Sequence, residues 1–336
     1  MTENVLNMVK SILKTLGAGV LAVAILSVIT FYYSTSGIAT YPAGGGTDYC
    51  HEPYSQVHFR TEGIADFQTD GNGYNNRVAM SPGEMDYLIM GSSHMEALQV
   101  DQQDNFAYIL NDALEGGAYN IGISGHFLAK SLSNLEEALD YYEPEKALVL
   151  EIPSVTENLS RLEKVNDGES LKEPIGMNSA PMRFIKKYVS AIPRLISYLG
   201  DWASVSSFEE SDATAPVYDD AYWKVVDEAL GNAAESVHGR GLDFYILIHP
   251  SVSIDESGDV EPLDNLKEIG AFEAICNRHD IVLINPYDRF VETYETEHRL
   301  PNGFINTAIG VGHMNEVGHR LSAEAAIEAI EAREAR

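Results

Sequence analysis

Residues 86–94 read DYLIMGSSH, a short apolar run followed by a glycine, two serines and a histidine. An apolar run without polar alternation is typical of a strand that is buried on both faces, and a helical pattern starts at Met95. A serine at such a strand-to-helix junction exposes its hydroxyl at the sheet edge, where helix-terminal amides can stabilise an oxyanion. The alternative interpretation is that Ser92 or Ser93 only caps the helix.

The rest of the chain repeats this alternation of apolar runs and amphipathic stretches. Strands that are separated by helices form βαβ units, so the pattern predicts a parallel sheet in a three-layer α/β domain. The chemistry of such sheets lies at the carboxyl ends of the strands. The further predicted strands are residues 118–123, 147–152, 244–248 and 281–284, and the predicted helices are residues 128–141, 263–278 and 315–333.

The N-terminal part carries a membrane signal. Residues 16–33 form an uncharged apolar run that is about as long as a bilayer core requires. Lys10 and Lys14 precede the run and Asp48 is the first charge after it, so the positive-inside rule places the bulk of the chain outside the cytoplasm. We therefore expect an uncleaved anchor. A cleaved signal peptide is the alternative, because residues 37–39 (GIA) offer small side chains near a plausible cleavage site.

These patterns divide the chain into four parts. Glycines at positions 44–46 indicate a flexible spacer, and Asp70-Gly71-Asn72-Gly73 is a hairpin-like turn signal. The predicted parts are a cytoplasmic N-terminus (1–14), a transmembrane helix (15–34), a spacer with a small cap or edge segment (35–84), and an α/β domain (85–336) with a helical insertion at about 153–241.

The composition is strongly acidic, with 51 Asp and Glu against 22 Lys and Arg and a net charge of -29. Such a charge repels a phosphate backbone, so we expect no nucleic-acid partner. Residues 182–199 are an exception, because they concentrate basic side chains. This stretch is either a solvated amphipathic helix or a contact for anionic lipid, an acidic glycan or a membrane partner. Two cysteines, Cys50 and Cys276, are too few for a disulfide scaffold or an all-cysteine zinc site.

Two more segments carry candidate functional residues, one at the end of the second predicted strand and one just before the last predicted helix. Residues 119–126 read YNIGISGH, and residues 313–319 read HMNEVGH. A histidine at position 313 can act as general base for a serine at the end of the first sheet strand. No recognised metal-ligand spacing is present, so we expect neither a metal nor a cofactor. The candidate pocket residues are Ser92, His94, Asn120, His126, His249 and Asn315.

Together, the order and spacing of these segments resemble the SGNH or GDSL hydrolase superfamily. The resemblance covers about residues 80–333 and implies a flavodoxin-like α/β/α sandwich. Gly91-Ser92-Ser93 matches the nucleophile block and assigns Ser93 as the nucleophile. Residues 120–125 resemble the second block, which implies that the amides of Ser93 and Gly125 form the oxyanion hole. His313, with Asn315 and Gly318 after it, matches the histidine block.

The sequence departs from this family in two blocks. After ALVLEI the third block lacks its asparagine, and Ser154, Thr156 or Asn158 are the candidate replacements as oxyanion donor. The acid expected three residues before the histidine is Gly310. Three arrangements are therefore open: a Ser93–His313 dyad acts alone, an acid from elsewhere orients the imidazole, or a backbone carbonyl holds the ring. A further alternative is that the activity is weak.

The resemblance implies a serine esterase or O-acyltransferase that works through an acyl-enzyme. Its extracytoplasmic, single-anchor architecture is similar to two groups of the superfamily, the D-alanyl transfer proteins of teichoic acid assembly and the alginate-type O-acetyltransferases. This similarity implies a cell-envelope or exported glycan as substrate and a multi-pass membrane acyltransferase as partner. The alternative function is a catalytically weak subunit of the same fold that binds glycan or scaffolds an export complex.

Overall fold

A computed structural model describes residues 3–33, 40–115, 117–171 and 218–336. Helix α1 (Glu3–Tyr33) opens the chain, and its segment Val5–Ile29 is long and apolar enough to cross a membrane. The helix begins well before residue 15, the predicted start of the transmembrane segment, because residues 3–14 also consist largely of side chains that favour a helix. Only 6% of its most apolar window is buried within the protein, as expected for an anchor or a signal sequence.

The segment after α1 forms two small antiparallel pairs. Strand β1 (Thr40–Pro42) pairs with β2 (Tyr49–His51), and β3 (Gln56–Phe59) pairs with β4 (Ala65–Gln68). The glycines expected as a flexible spacer are part of the β1–β2 connection, where Gly46 packs closely against Ala138. The turn signal at Asp70 does form a turn, but the hairpin itself lies upstream, between β3 and β4.

The main sheet has five parallel strands: β5 (Tyr87–Met90), β6 (Ala118–Asn120), β7 (Ala147–Ile152), β8 (Asp243–Ile248) and β9 (Val282–Ile284). Their order across the sheet is β6-β5-β7-β8-β9. In sequence order this is 2-1-3-4-5, the flavodoxin-like arrangement of doubly wound sheets. The predicted fold class is therefore confirmed. The strand order reverses next to β5, which ends at the GSSH segment.

The described helices after α1 are α2 (Ser93–Glu96), α3 (Phe106–Ala113), α4 (Leu128–Tyr142), α5 (Leu159–Asn166), α6 (Asp220–Gly239), α7 (Leu266–Arg278), α8 (Tyr287–Glu297) and α9 (Glu316–Glu334). Helices cover both faces of the sheet, because each strand points alternate apolar side chains to opposite faces. Leu88, Leu148 and Phe244 belong to one core with α4, α6 and α7. Ile89 and Val149 belong to the other core with α3 and α9.

Within the stretch 153–241, expected to be a helical insertion, the described residues 153–171 and 218–241 contain α5 and α6. Helix α6 buries Val226 and Leu230 in the core, so it serves as the crossover from β7 to β8. The basic stretch 182–199 lies outside the described residues. Cys50 lies in β2 and Cys276 is buried, and the two do not form a disulfide with each other.

Candidate active site

Three side chains at the carboxyl edge of the sheet form a continuous hydrogen-bonded row. Ser93 Oγ lies 2.8 Å from His313 Nε2, and His313 Nδ1 lies 2.5 Å from Glu62 Oε2. The backbone amide of His313 also donates to Glu62 Oε1 at 2.8 Å. A serine, an imidazole and a carboxylate in this order are the parts that nucleophilic acyl transfer requires.

The acid of this row comes from the small N-terminal segment. Glu62 lies in the turn between β3 and β4. It is far along the chain from Gly310, the position at which the histidine block would carry its acid. Asn306 holds the turn: its Oδ1 accepts from the Gly63 amide at 2.9 Å, and its Nδ2 donates to the carbonyls of Arg60 and Gly63. Of the three arrangements that the sequence left open, the structure contains the one in which an acid from elsewhere orients the imidazole.

Glycine at position 312 lets the acid approach the histidine. A Cβ added there would meet Glu62 Oε1 at 2.3 Å, and the residue has a φ of 97°, which side chains rarely adopt. Asp288 and Glu292, two acids that precede His313 in the chain, lie on α8, and the described carboxylate bound to His313 is Glu62.

Ser92 and Ser93 have different roles. Ser92 is fully buried: its Oγ accepts from the His94 amide as the cap of α2, and it donates to Glu151 Oε1 at 3.1 Å. Glu151 Oε2 accepts from the Ser92 amide at 2.7 Å, and Glu151 Oε1 also contacts His249 Nε2 at 2.6 Å. The buried carboxylate of Glu151 therefore fixes the backbone immediately before Ser93.

The loop after β6 is also fixed by a buried carboxylate. Gly125 has a φ of 85°, and a Cβ added to it would point into open space. The preceding residue, Ser124, donates its amide to Glu96 Oε2 at 3.1 Å and its hydroxyl to the same oxygen. Glu96 Oε1 lies 2.6 Å from His51 Nε2, so strand β2 also supports this loop.

Burial raises the pKa of the Glu96 carboxyl, but the hydrogen bonds from His51 and Ser124 and the charge of His51 outweigh it. The net shift of this pKa is downward, which keeps Glu96 ionised. An ionised carboxylate accepts hydrogen bonds from both sides, and these bonds hold the Ser124–Gly125 loop in place.

Ser154, Thr156 and Asn158, the candidate donors of the third block, form hydrogen bonds within their own segment and none to Ser93. Ser154 is exposed and lies 3.1 Å from the Thr156 hydroxyl, with the Thr156 amide donating back to Ser154. Asn158 caps α5 by accepting from the Ser160 amide. These contacts give all three residues local roles in the β7–α5 connection.

A cavity of about 320 Å³ is lined by His94 and Gly312, the chain neighbours of Ser93 and His313. His94 and His249 line it together with Pro153, Asn302 and Gly312. The wall is mainly polar, and Glu261 and Asp264 contribute carboxylates to it. Of the candidate pocket residues, His94 and His249 therefore face the cavity.

The other candidate pocket residues are structural in this fold. Asn120 is buried and bridges the Met95 carbonyl and the Gly122 amide. Asn315 caps α9 and donates to the carbonyls of Leu300 and Gly303. His126 is buried, and burial followed by the nearby Lys130 charge lowers its pKa to about 4.

Sequence reasoning missed Glu62, Glu96 and Glu151. Glu151 carries a local signal, since it is the charged residue inside the apolar run ALVLEI, and a charge in a strand buried on both faces needs a partner. Within the described ranges, no group of three or more His, Cys, Asp or Glu side chains is arranged to hold a metal ion.

Comparison with known proteins finds similarity in structure alone. No protein-family model matches the sequence, and no curated protein matches it. Among solved structures, the chain is similar to a lipolytic protein of the G-D-S-L family from Veillonella parvula, with 18% identity and a TM-score of 0.38 over 73% of this chain and 97% of that one.

Two further solved structures show the same level of similarity. A GDSL-like lipase from Bacteroides thetaiotaomicron has 13% identity and a TM-score of 0.37, over 76% of this chain and 93% of that one. The acetyl xylan esterase AlAXEase has 13% identity and a TM-score of 0.39, over 73% of this chain and 99% of that one. Identities and scores at this level do not transfer an activity, so the function has to be argued from the site itself.

Proposed function

We propose that this protein is a serine esterase or O-acyltransferase that forms an acyl-enzyme on Ser93. The observation that carries the proposal is the row Ser93–His313–Glu62, with contacts of 2.8 Å and 2.5 Å. Glu62 supplies the acid that the histidine block lacks. This supports an active enzyme over the alternative of a catalytically weak or inactive subunit that binds glycan or scaffolds an export complex.

The row supports a two-step reaction. Glu62 accepts the Nδ1 proton of His313, so Nε2 is free to take the proton of Ser93 while Oγ attacks an ester carbonyl. The resulting oxyanion is stabilised by the amides of Ser93 and Gly125, and His313 gives its proton to the departing alcohol. Water or a second alcohol then attacks the acyl-enzyme with the same base, which yields a free acid or a new ester.

Location and substrate belong to the same proposal. Helix α1 is long and apolar enough to anchor the protein, with its N-terminus in the cytoplasm and the α/β domain outside. The polar cavity that His94 and Gly312 line suits a hydroxyl-rich group, so we propose acyl esters of a cell-envelope or exported glycan as substrates. A multi-pass membrane acyltransferase is the proposed partner.

The proposal is tested by covalent labelling of the detergent-solubilised full chain with a fluorophosphonate. Wild type should be labelled, Ser93→Ala should lose the label, and the exposed-site control Ser154→Ala should keep it. Unlabelled wild type with a cooperative unfolding transition would contradict the proposal. Transfer is distinguished from hydrolysis by supplying an acyl ester with and without a polyol acceptor and measuring the acylated acceptor.

A further inference from the structure

His94, the residue directly after Ser93, has a ring whose position and proton are both fixed by its neighbours. Its centroid lies 4.9 Å from the His313 ring and 4.2 Å from the His249 ring, and it is tilted by 41° and 43° to their planes. His249 is in turn held by the buried Glu151. The imidazole of His94 therefore has little freedom to rotate away from the site.

The proton of this ring is on Nε2. The backbone amide of Met314 donates to His94 Nδ1 at 3.2 Å, and a ring nitrogen that accepts a hydrogen bond carries no proton. Burial, and then the nearby rings of His249 and His313, lower the pKa of His94 well below its usual range. At neutral pH the ring is thus a neutral imidazole that presents Nε2–H as a donor.

Beside this ring lies the 320 Å³ cavity, which His94 and Gly312 both line. Of the ring nitrogens of His94, Nδ1 is bonded to the Met314 amide, and no side chain in the described part of the protein accepts a hydrogen bond from Nε2. The β7–α5 connection offers no obvious substitute, because Ser154 and Thr156 bond to each other and Asn158 caps α5.

We propose that His94 is a substrate-contacting residue whose Nε2–H donates a hydrogen bond to an oxygen of the bound ester, in the position that a third-block side chain leaves empty. This inference rests on the proposed function and adds a donor to it. The donor is neutral, so it stabilises developing negative charge without supplying a proton that competes with His313.

The test is steady-state hydrolysis of 4-nitrophenyl acetate by the solubilised full chain. His94→Phe keeps a ring but removes the donor, and kcat/KM should fall about 100-fold or more. His94→Gln keeps an N–H donor and should stay within about 10-fold of wild type, by the same measure of one donor's worth. His298→Gln, a histidine outside the cavity, is the matched control and should leave the rate unchanged.

A second measurement requires no substitution. In ¹⁵N NMR of the labelled wild-type chain, the His94 ring should show the neutral tautomer with the proton on Nε2. A proton on Nδ1, or equal losses in the Phe and Gln variants, would overturn the donor role, and so would two variants within threefold of wild type. Wild-type labelling at Ser93 separates these outcomes from failure of the proposed function, since that labelling does not depend on the donor assignment.

Discussion

Replacing Glu62 by glutamine tests how the acid orients the base. Both carboxylate oxygens of Glu62 are occupied: Oε1 accepts from the backbone amide of His313 at 2.8 Å, and Oε2 faces Nδ1 at 2.5 Å. The backbone N–H is always a donor, so the oxygen of a glutamine stays with it and the NH₂ group faces the ring. Nδ1 then has to accept, which moves the ring proton to Nε2, where it points at Ser93 and blocks general-base catalysis.

The magnitude follows from comparison with other triads and from exposure. An amide in place of the triad carboxylate lowers kcat about 10⁴-fold in the serine proteases, because the wrong tautomer is favoured. Here the His313 and Glu62 side chains are 27% and 21% exposed, so water can satisfy part of the ring. We therefore expect Glu62→Gln to lower kcat about 10³-fold, which corresponds to about 4 kcal/mol.

The assay is steady-state ester hydrolysis by the full chain, with thermal unfolding recorded for each variant. The matched control is Glu256→Gln, an exposed position in the loop after β8, which should hydrolyse the ester at the wild-type rate. If folded Glu62→Gln retained more than a tenth of the wild-type kcat, the carboxylate of Glu62 would not be the group that orients the base.

Three further predictions concern residues around the row. Glu96→Gln cannot accept hydrogen bonds from both sides, so the Gly125 loop should shift and kcat should fall about 10²-fold with KM nearly unchanged in steady-state kinetics; a larger change in KM would contradict this. Asn306→Ala releases the turn that carries Glu62, and kcat/KM should fall about 10-fold to 100-fold, less than in Glu62→Gln; unchanged kinetics would show that the turn holds itself. Burial, and then two nearby imidazoles, lower the pKa of His319 to about 3. Between about pH 6.5 and pH 3 the unfolded chain binds a proton at His319 that the folded chain does not, so the free energy of unfolding should fall as the pH is lowered through this range. In urea unfolding at a series of pH values, the plot of this free energy against pH should have a slope that is smaller by about one proton for His319→Gln than for wild type.

The sheet was predictable because its strands are buried on both faces. Such strands read as continuous apolar runs, and each of the five runs in the sequence forms a strand of the sheet. The ends shifted where an apolar residue continues past the last ladder hydrogen bond: residues 121–123 follow β6 as loop, although Ile121 and Ile123 are buried. Apolar character reports burial, and the strand ends where pairing ends.

The acid was not predictable from local spacing. Glu62 and His313 are 251 residues apart, and the sequence around Glu62 carries only the signals of a tight turn. The pairing depends on how the β3–β4 hairpin packs against the loop before α9, which is a property of the tertiary structure. The serine and the histidine lie within motifs that follow or precede regular elements, so the sequence could point to them.

An acyl-enzyme on Ser93 can be detected directly by its mass. The full chain is mixed with a short-chain activated ester, quenched in acid within milliseconds, digested and analysed by mass spectrometry. We predict an acyl mass shift on the peptide that contains Ser93, absent in Ser93→Ala and accumulating more slowly in Glu62→Gln. Ester turnover by folded wild type with no acylated Ser93, or with the acyl group on another residue, would contradict the account.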